Sequence, residues 1–512
     1  MSKTDLDLTG SFEKALELLE NSSDNLFITG KAGTGKSTLL AYFLSQSKKK
    51  AAVLAPTGVA ALNVAGETIH SFFHFKSHIT LEEAKKKGRL ARNKALYREL
   101  ELIIIDEISM VRADLLDSVD AFLKAALKNK KPFGGIRMIF IGDLYQLPPV
   151  LKNEEKPFFQ KLYPTPYFFS AAAFQKEKFQ FLELDKIFRQ KEALFVQLLN
   201  AIRNNTVQEE ELLLLNRQVL KAGEKPEEGS IYLTSTNSDA EKINRERLEI
   251  LEGKERAFEA QVEGQFSLKE APTESSLKLK AGAQVMFLNN HPQGLWVNGT
   301  LGRIVSLTED LVEVETAGGD LVFVEKHRWE LFKYGFDEKK NQLFQEEVGA
   351  FLQFPLRLAW AVTIHKSQGK SFEKVVIDLG RGAFAFGQSY VALSRCRTLE
   401  GLKLQKPFKK QHVLCDWRVV SFLTSWQYAL SEKRLPLAEK KDLIQKAILE
   451  KRPLDLIYLK NNDEKSRRRV LPLFVGEMAY GSKHFLGLEA FCFQRNEKRH
   501  FKLERILEIS FG

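Results

Sequence analysis

The segment from residue 30 to residue 37, GKAGTGKS, places three glycines, two lysines and two hydroxyl side chains directly after the apolar run LFIT. It satisfies the spacing G-x-x-x-x-G-K-[ST], and a helical pattern, STLLAYFLSQ, follows. In this arrangement backbone N–H groups and a helix N-terminus point at a phosphate, Lys36 reaches the β and γ phosphates, and the Ser37 hydroxyl ligates Mg²⁺. A surface turn ahead of a helix is the alternative, but it does not require this combination. The residues expected to contact a nucleoside triphosphate are Gly30, Gly33, Thr34, Gly35, Lys36, Ser37 and Thr38.

Two acidic residues follow another apolar run, in ELIIIDE, at the point where a neighbouring parallel strand would end. Beside a phosphate site, Asp106 is placed to hold Mg²⁺ and Glu107 to orient or deprotonate an attacking water. Two acids after a strand are commonly just solvated. The pair indicates a metal and water site only because the glycine-rich segment is also present. Gln146, in GDLYQLPP after the next apolar run, is a candidate sensor of the γ phosphate, with an ordinary polar turn as the alternative.

Two arginines far along the chain are candidates for the same chemistry. Arg189 lies in KIFRQ and Arg395 in YVALSRCR, both within a second α/β pattern. Phosphoryl transfer benefits from cationic side chains across the cleft, so a site assembled from two domains would open and close with the nucleotide. Weak surface ion pairs are the alternative for each arginine taken singly.

Short apolar runs alternate with helical stretches in the first part of the chain, which is typical of a parallel sheet covered on both faces and makes the fold class α/β. The first such domain is predicted at 1–185, with a small basic, wedge-like excursion at about 75–98. A second α/β domain is predicted at 186–430. It is interrupted at about 255–355 by a β-rich insertion, in which LVEVET, AGGD and LVFVEK read as a hairpin. The composition shifts again for a last domain at 431–512.

The overall composition favours an intracellular protein with a polyanionic partner. At 512 residues the chain should form two to four domains, and 77 Lys and Arg against 66 Asp and Glu give a net charge of +11. Three cysteines in no metal-ligand spacing are too few for a disulfide framework, so a reducing compartment is expected. The N-terminus resembles neither a signal nor a transit peptide, and no apolar run is long enough to cross a bilayer. We therefore expect a soluble cytoplasmic protein with no membrane partner.

Nine segments in sequence order resemble the motifs of superfamily-one DNA helicases, specifically the Pif-one-like family of 5′-to-3′ enzymes. They cover roughly residues 10–415 and read GKAGTGKS, APTGVAALNVAGETIHSFF, IIIDEISMV, FGGIRMIFIGDLYQLPPV, LDKIFRQ, LTSTN, GAQVMFLNN with WVNGTLG, AVTIHKSQGKSFEKVVIDLG, and GQSYVALSRCRTLEGL. The resemblance implies two RecA-like, parallel-sheet motor domains of the P-loop NTPase class. It further implies ATP in the cleft between them, single-stranded DNA across both, and a small β-barrel inserted in the second.

By motif, the resemblance assigns two sets of residues. The ATP set is Lys36, Ser37, Asp106, Glu107, Gln146, Arg189, Gln368 and Arg395. The DNA set is Thr57, Gly58, Thr68, His70, Ser71, Asn298, His365, Lys366 and Ser367. Helix capping by Thr57 and Gly58, and core positions for the two histidines, are the alternatives. The rings of Phe72, Phe73 and Phe75 in HSFFHF are candidates to stack on bases or to wedge at a fork, with core packing the alternative for at least two of them.

Two positions depart from the family pattern. The family usually carries a Gln near the N-terminus that reads adenine, whereas this chain has GSFEKALELL, with Phe12 and Glu13 in that neighbourhood. Preference for ATP over other triphosphates is therefore an open question. The family also usually has Asp after EISMV, where this chain has Arg112, and phosphate chemistry should not depend on that position.

The last domain resembles a WYL domain, a small β-rich module found beside nucleic-acid enzymes and regulators. The match lies in LDLIYLKNNDEKSRRRVLPL and HFLGLEAFCFQRNEKRHFKLERI, with HFL in place of the tripeptide that names the module. By motif, Tyr458, Arg468, Arg499 and Arg505 would line a basic surface for a nucleic acid or a regulatory ligand. A solvated basic face with no specific ligand is the alternative.

Together the residues and the resemblance predict an ATP-dependent, Mg²⁺-requiring DNA helicase that translocates 5′-to-3′ on single-stranded DNA and unwinds the duplex ahead of it. The expected partners are single-stranded DNA and forked or tailed duplex DNA. The expected state is a monomer in a bacterial cytoplasm, associated with the nucleoid, and the resemblance implies roles in DNA repair, recombination and telomere maintenance. A nucleotide-switched single-strand clamp with slow ATPase and an RNA-directed motor are the alternatives that the residues leave open.

Overall fold

The computed structural model describes residues 10–76, 79–268, 271–337, 342–380, 382–480 and 483–512. The chain divides into two units, one formed by Met1–Leu199 with Gln208–Leu414 and the other by Asn200–Val207 with Cys415–Gly512. The boundary predicted near residue 430 therefore falls earlier, because the helix Trp417–Arg434 packs against the strand Ile506–Phe511 of the second unit.

A parallel sheet organises the first lobe of the first unit (residues 10–185). Its strands are β1 (Asn25–Gly30), β2 (Ala51–Ala55), β3 (Glu67–Thr68), β4 (Leu102–Ile105), β5 (Arg137–Ile141) and β6 (Phe179–Leu184), in the order β3-β2-β4-β5-β1-β6. All six residues of the central strand β1 are buried, and Phe27 lies opposite Phe140 of β5. Near-continuous apolar runs form such strands because both faces of the sheet are covered.

Along the chain, helices precede and connect the strands of this sheet. They are α1 (Gly10–Asn21), α2 (Lys36–Gln46), α3 (Gly58–Asn63), α4 (Ile69–Phe72), α5 (Leu81–Arg89), α6 (Lys94–Glu99), α7 (Ala113–Leu127), α8 (Lys156–Leu162) and α9 (Ala172–Gln175). The excursion predicted at 75–98 contains α5 and α6, and its residues 77 and 78 lie outside the described residues. Helix α5 crosses α7 closely at Gly88, where a Cβ would lie 2.3 Å from the Phe122 carbonyl oxygen.

The second lobe (residues 186–414) begins with two helices and one strand of a new parallel sheet. These elements are α10 (Ala193–Arg203), α11 (Glu209–Asn216), β7 (Ile231–Thr234) and α12 (Asn237–Ile250). Thr236 caps α12, because its hydroxyl accepts a hydrogen bond from the Asp239 N–H.

An antiparallel insertion then interrupts the second lobe. Its strands are β8 (Arg256–Glu259), β9 (Gln261–Gly264), β10 (Ser276–Leu279), β11 (Gln284–Phe287), β12 (Leu301–Leu307), β13 (Val312–Thr316), β14 (Leu321–Val324), β15 (His327–Asp337), β16 (Gln342–Gln353) and β17 (Leu356–Leu358). They form three sheets, ordered β10-β8, β14-β13-β12-β11-β17 and β15-β16-β9. Side chains of the first two sheets share one apolar core that includes Phe258, Phe287 and Phe354. The β-rich insertion and its β13–β14 hairpin are thus confirmed, with Gly319 at φ 88° in the turn.

The parallel sheet of the second lobe resumes after the insertion. The remaining elements are β18 (Ala361–Thr363), β19 (Val375–Asp378), α13 (Gln388–Leu393) and β20 (Leu402–Leu404), and the sheet order is β18-β7-β19-β20. The α/β class predicted from alternating apolar runs is therefore confirmed in both lobes.

The β15–β16 hairpin of the insertion reaches the first lobe through Tyr334. The Tyr334 hydroxyl accepts a hydrogen bond of 3.1 Å from the Val53 N–H, and its ring packs edge-on against Phe72 with 5.7 Å between centroids. Its backbone N–H donates to the carboxylate of Glu67, which is 2% exposed. Burial raises the pKa of Glu67 to about 7, so the hairpin covers a carboxyl that titrates near neutrality.

The second unit is a five-stranded antiparallel sheet with two helices. Its elements are α14 (Trp417–Arg434), α15 (Leu437–Leu449), β21 (Leu454–Leu459), β22 (Lys465–Tyr480), β23 (Lys483–Cys492), β24 (Glu497–Lys502) and β25 (Ile506–Phe511), with the sheet order β24-β23-β22-β21-β25. Alternate residues of the strands, Leu456, Val470 and Leu488 among them, form an apolar core together with Ile444 of α15. The predicted β-rich last domain is confirmed.

All three cysteines are free, and Cys396 and Cys492 are buried. Among the described residues, no helix combines the length and the apolar character needed to span a bilayer.

Candidate active site

A cavity of about 710 Å³ lies at the seam between the first and second lobes. Residues 32–38 line one side of it, together with Glu107 and Gln146. Arg189 and Arg395 line the other side. Residues that the sequence places far apart are therefore brought to one cavity, of the size that ligand pockets commonly have.

The phosphate loop (residues 30–37) joins β1 to the N-terminus of α2. Gly33 and Gly35 have φ of 79° and 82°, a left-handed conformation that side chains with a Cβ rarely adopt. The Lys36 ammonium donates hydrogen bonds of 2.8 and 3.1 Å to the carbonyl oxygens of Gly30 and Lys31. Burial lowers the pKa of Lys36, while Asp143, Glu107 and Asp106 act against that shift. A buried cation at a helix N-terminus is well placed to receive an anion.

Two carboxylates stand at the carboxyl end of β4, next to the phosphate loop. Asp106 is 7% exposed and accepts a hydrogen bond of 2.9 Å from the Glu107 N–H. Glu107 has φ 50°, an uncommon conformation for a residue with a side chain, and it directs the carboxylate into the cavity. Burial and the neighbouring Asp106 raise the pKa of Glu107.

A chain of side-chain amides connects these acids to the second lobe. The Gln368 Nε2 donates to the Glu107 carboxylate at 3.1 Å and to the Gln146 Oε1 at 3.2 Å. Gln146 in turn donates to the Asp143 carboxylate at 3.1 Å. This network fixes the Glu107 carboxylate through a residue of each lobe. Sequence analysis missed Asp143, although its position directly after the strand RMIFIG could have marked it.

Both predicted arginines are held by carbonyl groups of the second lobe. Arg189 donates to the carbonyl oxygens of Ser394 (3.3 Å) and Gly369 (3.1 Å). Arg395 is fully buried and donates to the carbonyl oxygens of Val391 (2.9 Å) and Lys370 (3.2 Å). Burial and the like charge of Arg189 lower the pKa of Arg395. Two crowded cations beside a phosphate loop favour a highly charged anion between the lobes.

Two aromatic residues of the cavity region were missed by sequence analysis. The Ala32 N–H of the phosphate loop donates a buried hydrogen bond of 2.9 Å to the Tyr390 hydroxyl, on α13 of the second lobe. The Phe188 ring lines the cavity, and the Phe188 N–H donates to the Gly33 carbonyl at 2.8 Å. Both residues stand beside the motif arginines, in KIFRQ and SYVALSR, which is the signal that could have found them.

The hydroxyl of Tyr390 offers a test of the link between the lobes. We expect Tyr390→Phe to lower kcat for ATP about 5- to 10-fold, because a buried N–H left without a partner costs about 1–3 kcal/mol and loosens the phosphate loop. The KM for ATP should change less than about twofold. Steady-state ATPase kinetics measure both values.

Tyr97→Phe is the matched control for that substitution. It removes another buried hydroxyl, which donates to the Phe72 carbonyl at 3.1 Å on the far side of the first lobe. Its melting temperature should fall as that of Tyr390→Phe does, without the loss of kcat. Equal kinetics in the two variants would contradict a positioning role for Tyr390.

The two positions that depart from the family pattern have structural roles. Phe12 packs in the core of the first lobe. Arg112 donates to both oxygens of Asp114 (3.0 and 2.7 Å) and to both oxygens of Glu155 (3.1 Å each). It also lies over the ring of Phe159, 5.2 Å from its centroid. Arg112 thus ties the loop after Asp106 and Glu107 to the N-cap of α8, through partners that an aspartate would repel.

The first group of predicted DNA residues lies at the starts of two short helices. Thr57 and Thr68 are the N-caps of α3 and α4, and their hydroxyls accept hydrogen bonds from the N–H groups of Ala60 and Ser71. Gly58 is the first residue of α3. The capping alternative therefore describes what Thr57 does here. Burial lowers the pKa of His70, which favours a neutral imidazole beside these caps.

Two of the predicted DNA residues, Phe72 and Ser367, are buried in this structure. Phe72 is 3% exposed and packs edge-on against Phe73 and Tyr97, so its ring has no face for a base. Phe73 and Phe75 are buried in the same aromatic cluster. Ser367 is fully buried, and its hydroxyl donates to the Ile364 carbonyl at 2.8 Å. The side chains of Phe72 and Ser367 are thus part of the packed interior.

The remaining predicted DNA residues lie in the second lobe. Lys366 is exposed and His365 half-buried, and burial lowers the pKa of both. The Asn298 amide donates at 3.3 Å to the Asn63 Oδ1 of the first lobe, so this turn touches both lobes. The Asn298 Oδ1 is buried and has no hydrogen-bond partner within the described ranges.

Arg468 and Arg499, two of the basic residues predicted for the last domain, lie on strands of its sheet, and Arg505 lies in the short helix Leu503–Arg505 between β24 and β25. Arg468 lies opposite Leu456, and Arg499 opposite Ala490, in strand pairs whose apolar members belong to the core. The Tyr458 ring packs edge-on against Phe501 of that core. The Arg505 Nε is buried and lacks a hydrogen-bond partner in the described part of the chain. Arg468 and Arg505 are half-buried, and Arg499 is exposed.

Comparison of the chain with known proteins identifies its family. Residues 9–212 match the model of the PIF1-like helicases, and residues 439–511 match that of the WYL domain. ATP-dependent DNA helicase Pif1 of Bdellovibrio bacteriovorus is 35% identical over 434 residues, which cover 83% of this chain and 93% of the relative. The chain belongs to the PIF1-like helicase family. This PIF1-like helicase spans about 60% of the length of its rat, mouse and human relatives.

Solved structures of a PIF1-like helicase also resemble this chain. Bacteroides sp Pif1 in complex with ADP-AlF4 is 37% identical with a TM-score of 0.75, over 82% of this chain and 97% of that one. Bacteroides Pif1 bound to single-stranded DNA has the same identity and coverage, with a TM-score of 0.59. Unliganded Pif1 from Bacteroides sp has a TM-score of 0.72 at 36% identity, close to the value for the ADP-AlF4 complex.

Proposed function

We propose that this PIF1-like helicase is an ATP-driven DNA motor that moves 5′-to-3′ along a single strand and opens the duplex ahead of it. The observation that carries the proposal is the one cavity that Lys36 of the first lobe shares with Arg189 and Arg395 of the second. A nucleotide in this cavity would touch both lobes, so its binding would draw them together and its cleavage would release them. Relatives described as acting on single-stranded and forked DNA support DNA as the track.

The residues of the cavity divide the work of phosphoryl transfer. Lys36 would exchange its carbonyl partners for the β and γ phosphate oxygens. Glu107 would orient the attacking water and take its proton, while Gln368, which also donates to Gln146, holds the carboxylate in place. Arg395 and Arg189 would face the charge that develops on the transferred group, in a site from which much of the water is excluded.

The residues beside the phosphate loop fit Mg²⁺. Ser37 offers an exposed hydroxyl on the cavity wall, and Asp106 offers a carboxylate at the end of the neighbouring strand. Carboxylate, hydroxyl and phosphate oxygens suit this ion, which keeps part of its water shell. When bound, Mg²⁺ would neutralise phosphate charge.

The base of the nucleotide would meet an aromatic surface rather than a dedicated reader. The Phe188 ring lies 3.8 Å from the position that a Cβ on Gly35 would take, and it lines the cavity. Stacking on an aromatic ring tolerates every base, because every base has a π-face. We therefore assign Phe188 to base contact and expect weak discrimination among triphosphates.

The proposal extends to the partners and location of the protein. It has the full chain act as a monomer on DNA in a bacterial cytoplasm, at the nucleoid, with Thr57, Thr68, His70, Asn298 and Lys366 along the strand path. The WYL domain would bind a nucleic acid or a regulatory ligand through Arg468 and Arg505.

Strand displacement on tailed duplexes tests the proposal. The full-length protein should displace a labelled strand from a duplex with a 5′ single-stranded tail and leave a matched 3′-tailed duplex intact. Its ATPase rate should rise with the length of added oligo(dT), as a translocating motor requires. Displacement from the 3′ tail alone would contradict the direction, and length-independent ATPase without displacement would indicate a clamp. Displacement on RNA tails alone would indicate an RNA-directed motor.

A further inference from the structure

We propose that Lys370 is a DNA-phosphate ligand of the strand path and the side chain that connects strand binding to Arg395. The proposal rests on the proposed DNA helicase function and adds to it a residue that the motif comparison did not assign. Lys370 directly follows the segment HKSQG, at a position where the residues already assigned end. Three independent features of its surroundings carry the argument.

The first feature is the position of the side chain beside the Asn298 turn. The Cβ, Cγ and Cδ atoms of Lys370 lie 3.4–3.6 Å from the position that a Cβ on Gly299 would take. Gly299 has φ 99°, so the turn exposes bare backbone to the lysine stem. Asn298, which precedes it, bridges to Asn63 of the first lobe. The lysine therefore lies against a turn that contacts both lobes near the predicted strand path.

The second feature is that the Lys370 ammonium has no anionic partner within the described residues. Its Nζ lies 3.2 Å from the Met286 Sδ, a weak acceptor. Burial, and then repulsion by Arg357, lower the pKa of Lys370 to about 7. Arg357 also acts against the charged form of Lys366, which lies in the preceding loop. Three cations in one region with so little compensation favour an anion among them.

A backbone phosphate of DNA is the anion that fits this region. The side chains of Lys366 and Lys370 and the amide of Asn298 are hydrogen-bond donors, as phosphate oxygens require. Glu241 and Glu274 favour the charged form of Lys366, and Glu274 also favours that of Arg357, but burial has the largest influence on the pKa of both cations. No pocket for a base is needed, so the contact would be tolerant of sequence.

The third feature is the backbone of Lys370. Its carbonyl oxygen accepts a hydrogen bond of 3.2 Å from Arg395, and the preceding carbonyl, of Gly369, accepts one of 3.1 Å from Arg189. The same residue thus holds a motor arginine by its main chain and lies on the strand path by its side chain. A phosphate that draws the ammonium toward the path would shift the carbonyl that positions Arg395. Such a shared element is what energetic coupling between two sites requires.

Lys370→Met tests the proposal, because methionine keeps the length of the stem and its tip suits the contact with Met286. The affinity for fluorescein-labelled oligo(dT) is measured by anisotropy from 50 to 400 mM NaCl at pH 6.5, where the lysine is mostly charged. The slope of log K against log salt should become less steep by about 0.7, the value for one lost phosphate contact on a single strand. The factor by which oligo(dT) stimulates ATP hydrolysis should fall at least about fivefold. Thermal melting should show no loss of stability, since an uncompensated buried cation is removed.

Two further variants keep the test decisive. Lys374→Met is the matched control, because this lysine of the same lobe is exposed and pairs with Glu227. It should leave the salt slope and the stimulation unchanged. Lys370→Gln repeats the removal of charge should the methionine variant melt early. A wild-type slope and stimulation in a folded neutral variant would overturn the role of Lys370 while leaving the helicase proposal intact. Wild-type protein that neither binds oligo(dT) nor responds to it would instead overturn the helicase proposal.

Discussion

Alanine in place of Lys36 is expected to lower ATP turnover by about 10²–10³-fold, the scale on which single stabilising donors act in transfer reactions. The ammonium is buried in the phosphate loop and bonded only to loop carbonyls in the described structure, so no other group can deliver its charge to the β and γ phosphates. Affinity for single-stranded DNA should stay within about threefold, because no predicted strand contact involves Lys36. ATPase assays with and without oligo(dT), and anisotropy, measure the two effects.

Lys14→Ala is the matched control for that experiment, because Lys14 is an exposed lysine on α1. It should behave as the wild type in both assays. Strand displacement by the Lys36→Ala protein would refute the assignment of the phosphate loop, since unwinding must then draw on another source of energy.

Lysine in place of Arg395 should also lower kcat by at least about 10²-fold, while the affinity for a fluorescent ADP analogue changes less than about fivefold. A lysine keeps the charge but cannot reproduce the planar fork that bonds the carbonyl oxygens of Val391 and Lys370 and the hydroxyl of Ser394. Arginines that face the transferred phosphoryl group are worth about 10³–10⁵ in turnover, and they act on the transition state more than on binding. ATPase kinetics and nucleotide titration separate kcat from affinity.

Arg303→Lys serves as the control, because Arg303 is exposed on the insertion and pairs with Glu228. Its kinetics should match those of the wild type. If Arg395→Lys lowered nucleotide affinity as strongly as kcat, Arg395 would be a binding residue and the proposed division of labour would be wrong.

The parallel strands of both lobes were predictable because they are long apolar runs bounded by helical patterns, a signal that neighbouring contacts do not alter. The phosphate loop was predictable because its glycines and lysine have fixed spacing. The acids and arginines of the cavity became predictable only through motifs, since charged residues after strands are usually solvated. These residues line one cavity only because the two lobes pack against each other, and no local sequence pattern predicts that packing.

Burial is the property that the sequence of the predicted DNA segments does not record. Phe72 and Ser367 lie in segments with donors and rings suited to nucleic acid, yet the structure uses both as core. Periodicity cannot distinguish a ring that stacks on a base from a ring that packs on Phe73 and Tyr97, because both stand beside polar residues in sequence. The early start of the second unit, at Cys415, arises because α14 packs on β25, a contact made across about 75 residues of chain.

Tyr390, Phe188, Asp143 and Lys370 were missed for a different reason. Tyr390, Phe188 and Lys370 contact the backbone of other motifs, such as the Ala32 N–H or Gly299, whereas Asp143 bonds to Gln146 of its own motif. The residue type alone carries no signal in these cases, and only the adjoining motif residues mark the positions. Only coordinates bring such pairs together.

The contact between the β15–β16 hairpin and Glu67 couples the position of the hairpin to the protonation of the Glu67 carboxyl. With the hairpin in place, burial holds the pKa of this carboxyl at about 7, against an ordinary value of 4.5. Lifting the hairpin would return the carboxyl to water and release a proton between those two values. Between pH 4.5 and about 7, a lower pH therefore favours the hairpin in contact with Glu67. Above about pH 7 the carboxyl is ionised in both arrangements, so their relative free energy no longer depends on pH.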